Sequence, residues 1–89
     1  MPTVREFIAR AVRQGCVEGR AKRPIYGPRG PVLARYLASP EPRRTIVILP
    51  ENDNERLRSG VLAHFVRALG VRGYDHLLEN DTREEEDEA

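Results

Sequence analysis

The chain is short of the residues that anchor most specialised chemistries: it has one cysteine, one methionine, no tryptophan and only five aromatic residues in 89. A single cysteine excludes an intramolecular disulfide. Cys16 also has no Cys/His companions at metal-binding spacing, so it reads as a small buried apolar residue. No apolar run approaches the roughly 18 residues of a membrane helix. Arg5, Arg10 and Arg13 interrupt the apolar stretches near the start of the chain, against the core of a signal peptide, and a cytoplasmic protein is expected. A Walker-type phosphate loop and a GxSxG nucleophile motif are both missing. Glu51, Asp53 and Glu55 lack calcium-loop spacing and a closing bidentate acid. They read as a polar connection whose acids favour a following helix N-terminus. No cofactor or metal is implied.

Lysine is almost absent as well. Of 15 basic residues only Lys22 is not arginine, and arginine's planar fork suits phosphate contacts and stacking on bases. The formal net charge of +1 hides a division. Residues 1–78 hold 14 basic against 7 acidic residues, whereas residues 79–89 hold 7 acids against Arg83 alone. The first segment is long enough for one small domain with one modest core. The second reads as a solvated acidic tail.

Local patterns order the domain. Thr3 and Glu6 form a T-x-x-E capping box. Val4, Phe7, Ile8, Ala11 and Val12 then recur at helical spacing, and Gly15 is placed to stop the helix in a left-handed conformation. Residues 16–18 suggest a short strand. Residues 19–31, with three glycines and three prolines, suggest a loop or wide hairpin in which Ile25 and Tyr26 pair at an edge. Residues 32–37 read as a strand and 39–42 as a turn, while 43–49 is the most strand-like stretch. A second helix, capped near Ser59, carries Val61, Leu62, Phe65, Val66, Ala68 and Leu69 before Gly70 ends it. Tyr74, Leu77 and Leu78 share one face of a last turn, expected to lie over the sheet or the second helix. The order predicts an α+β domain: an antiparallel three-stranded sheet with two helices on one face.

The ordered combination of these elements resembles the HicA-like (YcfA-like) mRNA interferase toxins. The resemblance covers residues 3–78. It is carried by the opening helix running into Gly15-Cys16-Val17, by the strand at 45–50 ending in Pro50, and by the helix pattern Leu57, Gly60, Leu62, Phe65, Gly70, Val71. It implies an α-β-β-β-α fold similar to the double-stranded RNA-binding domain, RNA as a target, and an antitoxin-like protein partner. The family's Lys-Gly-Ser-His-like motif matches Arg29-Gly30-Pro31-Val32, which keeps the basic residue and the glycine. Valine stands where the resemblance places the catalytic histidine, and valine can neither donate nor accept a proton. No catalytic residue is therefore assigned. His64 and His76 are the remaining side chains with suitable ordinary pKa values. His64 falls about 100° or more from its helix's apolar centre, and both read as surface histidines. An active interferase would need one of them, or another residue, in place of Val32.

The candidate binding residues are Arg20, Lys22, Arg23, Arg29, Arg35, Arg43 and Arg44, seven cations within 25 residues that contain one acid, Glu41. Tyr26 and Tyr36 are interleaved with them and are candidates for stacking on unpaired bases. An arginine bias in composition yields the same counts as a solvated face. Two functions from different classes follow: an RNA-binding protein without the family's nuclease activity, and a protein-interaction module, as half of a toxin–antitoxin-like pair or as a homodimer.

Overall fold

A computed structural model describes residues 1–42 and 44–78. Arg43 and the acidic segment 79–89 lie outside the described residues. The elements run α1 (Val4–Arg13), β1 (Val17–Arg20), β2 (Ile25–Gly27), β3 (Gly30–Val32), β4 (Arg35–Ala38), β5 (Ile46–Ile48) and α2 (Ser59–Leu69). Strands β1, β4 and β5 form an antiparallel sheet in the order β1-β4-β5, and β2 and β3 form a separate two-stranded hairpin. The expected α+β architecture with a three-stranded sheet is present. The hairpin is an insertion between its first and second strands.

Helix α1 begins as its sequence dictates. The Thr3 hydroxyl accepts from the Glu6 N–H, and the Glu6 carboxylate accepts from the Thr3 N–H, closing the capping box. Two further amides of the first turn, on Val4 and Arg5, donate to the carbonyls of Glu55 and Asp53. The acidic connection thus caps α1 from outside, using its backbone. Helix α2 differs from expectation at its start, where Arg58 is the N-cap residue and makes no side-chain capping bond. It ends as expected, with Gly70 left-handed at φ +71°.

Both helices cover the same sheet face. Val4, Phe7 and Ala11 of α1 and Leu62, Phe65 and Leu69 of α2 share one core with Leu37, Val47, Leu49 and Cys16. Phe7 sits between the rings of Phe65 and Tyr74, each 5.7 Å away centroid to centroid. The terminal turn packs chiefly on α1. Tyr74 stacks on Phe7, the Arg10 guanidinium lies 4.5 Å over the Tyr74 ring, and Gln14 exchanges two 2.8 Å hydrogen bonds with the Arg72 backbone. Leu77 and Leu78 pack against the core from its margin. No helix among the described residues is long and apolar enough to cross a membrane.

Candidate nucleic-acid interface

The hairpin owes its shape to four residues. Gly27 and Gly30 are paired, with Pro28-Arg29 as the two-residue connection. Proline presets the backbone angle that the first turn position needs, and Gly30 adopts φ +106°, a conformation glycine accepts without strain. The strand beyond stops at Val32, and Leu33-Ala34 is a break before β4. The stretch 32–37, expected as one strand, is therefore shared between two sheets. The hairpin joins the main sheet through the Ala21 N–H, which donates to the Ala34 carbonyl at 2.7 Å, and through Arg20, whose Nη1 donates to the Leu33 carbonyl at 2.7 Å.

Side chains alternate across this arm. Tyr26 and Pro31 are cross-strand partners on one face, and Ile25 and Val32 on the other. Tyr26 is 80% exposed. Lys22 and Arg23 sit in the bend that leads into β2, and Arg29 sits at the tip. All three are exposed, and none has an acidic partner among the described residues. The arm therefore carries an aromatic ring flanked by uncompensated positive charge.

The remaining expected cations among the described residues are engaged. Arg20 bonds both oxygens of Glu51, with Nη1 to Oε1 at 3.1 Å. Arg35, its side chain only 12% exposed, meets Asp53 at 2.6 Å. Arg44 pairs with Glu41. Pairing lowers the net charge these three offer to a phosphate, although the exposed pairs of Arg20 and Arg44 contribute at most about 1 kcal/mol and exchange readily. Tyr36 lies on the outer sheet face, where its ring covers Gly19. The nine sequence candidates thus separate. Lys22, Arg23, Tyr26 and Arg29 lie on the arm or at its base; Arg20 and Arg35 are ion-paired on the sheet and Arg44 in the connection between β4 and β5; Tyr36 packs; Arg43 lies outside the described residues.

Val32, the position matched to the family's histidine, sits on β3 opposite Ile25 and is 44% exposed. His64 is exposed on α2, and His76 is exposed in the terminal turn. No cluster of three or more metal-binding side chains occurs among the described residues. The sequence named Ile25 only as an edge-pairing residue and Pro31 only as a motif position; in the structure Pro31 lies across from Tyr26, and Ile25 and Leu33 expose apolar surface on and beside the arm. The Gly-Pro-Arg-Gly turn signature at residues 27–30 was the signal that could have placed them. No family model, curated protein or solved structure matches this chain.

Proposed function

We propose that the protein is a HicA-like RNA-binding domain that binds single-stranded RNA through the β2–β3 arm and does not cleave it. One observation carries this reading: Lys22 and Arg23 in the bend before β2 and Arg29 at the turn, cations without acidic partners among the described residues, flank in the chain the most exposed aromatic ring, Tyr26. An unpaired base offers a π-face for Tyr26, and the flanking phosphates offer partners for the three cations. Duplex RNA presents stacked bases that a single protruding ring cannot reach, which favours single strands. The absence of cleavage rests on Val32, because proton transfer to and from the ribose and leaving oxygens needs a titratable side chain at that point.

The test is to bind an end-labelled unstructured RNA oligonucleotide and to recover it afterwards on a denaturing gel. The proposal predicts saturable binding and intact RNA after prolonged incubation. Cleavage that disappears in His64→Ala or His76→Ala would overturn the inactive reading. Absence of binding at low salt would overturn RNA recognition itself.

A further inference from the structure

The outer face of the sheet is apolar where a solvated face would be polar. Val17, Ala38 and Ile46 form one cross-strand row and Gly19, Tyr36 and Ile48 the next. Val17, Ile46 and Ile48 are all more than half exposed. An antiparallel sheet with one free face normally alternates apolar inward and polar outward, and an apolar patch of this kind marks an interaction surface. The patch runs over the edge of β5 into a groove of about 750 Å3 lined by Ile46, Ile48, Pro50, Gly60, Val61 and His64.

Strand β5 is the edge of the sheet, and its bonding pattern fixes which groups face outward. Leu49 donates to the Arg35 carbonyl and Ser39 to the Thr45 carbonyl. With Leu37 opposite Val47, the hydrogen-bonded positions are 45, 47 and 49. The N–H and C=O of Ile46 and Ile48 therefore point away from β4, toward the groove.

We propose that β5 pairs antiparallel with β5 of a second copy of this chain, with Val47 on the two-fold axis. In that register Ile46 of each copy faces Ile48 of the other, and each pair exchanges both backbone hydrogen bonds. The same register brings the isoleucines of both copies together on the outer face. Pro50, which has no N–H, ends the ladder opposite Arg44. The edge is thus complementary to itself, as a two-fold contact requires. Gly60 leaves open space beside the strand, since nothing lies within 4 Å of where a side chain would begin. Residues 79–89 contain no apolar side chain except Ala89, so their composition offers nothing complementary to isoleucine. The opposite edge, β1, exposes Glu18 and Arg20, charges of the kind that discourage edge pairing.

The paired sheet has six strands. Because the two β5 strands run antiparallel, the β2–β3 arms leave from opposite ends of it. The contact is small, an interface of the class below about 1,200 Å2, so the dimer is weak and concentration-dependent.

The experiment is sedimentation equilibrium of nuclease-treated protein from about 10 µM to about 1 mM, the range in which a weak association shows, together with amide hydrogen exchange at both extremes. A monomer–dimer equilibrium is expected, with the Ile46 and Ile48 amides protected only at high concentration. Ile46→Lys and Ile48→Glu should each weaken association at least tenfold while keeping the thermal midpoint, because both side chains are exposed. Their equimolar mixture should recover it, since the new charges face each other only in this register. A protein monomeric throughout the range overturns the proposal, and so does a dimer unaffected by Ile46→Lys. A dimer whose Ile46 and Ile48 amides stay unprotected also overturns it. The triple variant Lys22→Ala, Arg23→Ala, Arg29→Ala should still dimerise, which separates a failure of RNA binding from a failure of this contact.

Discussion

The Tyr36 ring lies directly on Gly19, its cross-strand partner, so closely that a β-carbon at position 19 would stand 2.5 Å from the ring. An aromatic laid over a glycine on an edge strand shields backbone that the missing side chain leaves bare, and it pins the strand register. The same contact holds Tyr36 on the outer sheet face, away from the arm that carries Tyr26.

Gly19→Ala is expected to destabilise the domain by about 1 kcal/mol, because the tip of the half-buried Tyr36 ring must swing aside to admit the extra carbon. In a Tyr36→Ala background the same change should be neutral or stabilising, because alanine otherwise costs less backbone entropy than glycine in a strand. Urea unfolding of the four proteins in this cycle measures the coupling.

Phe7 is fully buried between Phe65 and Tyr74 and joins both helices to the terminal turn. Phe7→Ala should cost about 3–5 kcal/mol, a large part of the roughly 5–15 kcal/mol available to a small domain. Chemical denaturation should show a markedly lower midpoint. A loss below 1 kcal/mol would mean that the core does not close around this ring.

Acid should weaken the start of α1. The Thr3 hydroxyl bond, followed by the Thr3 backbone bond, holds the Glu6 carboxyl below the ordinary glutamate range. A group depressed in the folded state contributes stability above its unfolded value and loses that contribution as pH falls through the folded one. The window therefore opens below about pH 4.3, the ordinary glutamate value. Thermal midpoints across this range should fall less steeply for Thr3→Ala than for the parent.

Alkali should act through Cys16, whose thiol is pushed up by burial. A raised acidic group contributes stability below its ordinary value and loses it as pH rises through the folded one. The loss should begin above about pH 8.5 and be reduced in Cys16→Ala. Tyr74 adds to it at higher pH, raised mainly by burial and opposed by Arg10. A thiol reagent at neutral pH should label Cys16 only after unfolding.

Much of this fold is local in origin, and those parts are legible in sequence. The capping box at Thr3 and Glu6, the stripe through Val4, Phe7 and Ala11, and the left-handed stop at Gly70 depend on neighbours within one or two turns. The rest depends on distant partners. Nothing near Leu33 and Ala34 shows that the strand must break there; the break arises because Ile25–Gly27 pairs with Gly30–Val32 while Arg35–Ala38 pairs with Val17–Arg20. The N-cap of α2 is Arg58, next to Ser59, and it makes no side-chain capping bond, in a segment that also holds the start of α1: Leu57 donates to the Pro2 carbonyl. The candidate interface divides for the same reason. Arg20 and Arg35 find acids 31 and 18 residues away, pairings that a count of charges cannot assign, while the arm's cations lie beyond the reach of that loop.

The most direct measurement is the salt dependence of single-stranded RNA affinity for the parent and for Lys22→Ala, Arg23→Ala, Arg29→Ala combined. These side chains are exposed, so stability should change by no more than about 0.5 kcal/mol per site. Each phosphate contact contributes roughly 0.7 to the log–log slope for single strands. Loss of all three should flatten the slope by about 2 and leave only weak binding at low salt. An unchanged slope and affinity would contradict the account and place any RNA contact elsewhere on the domain.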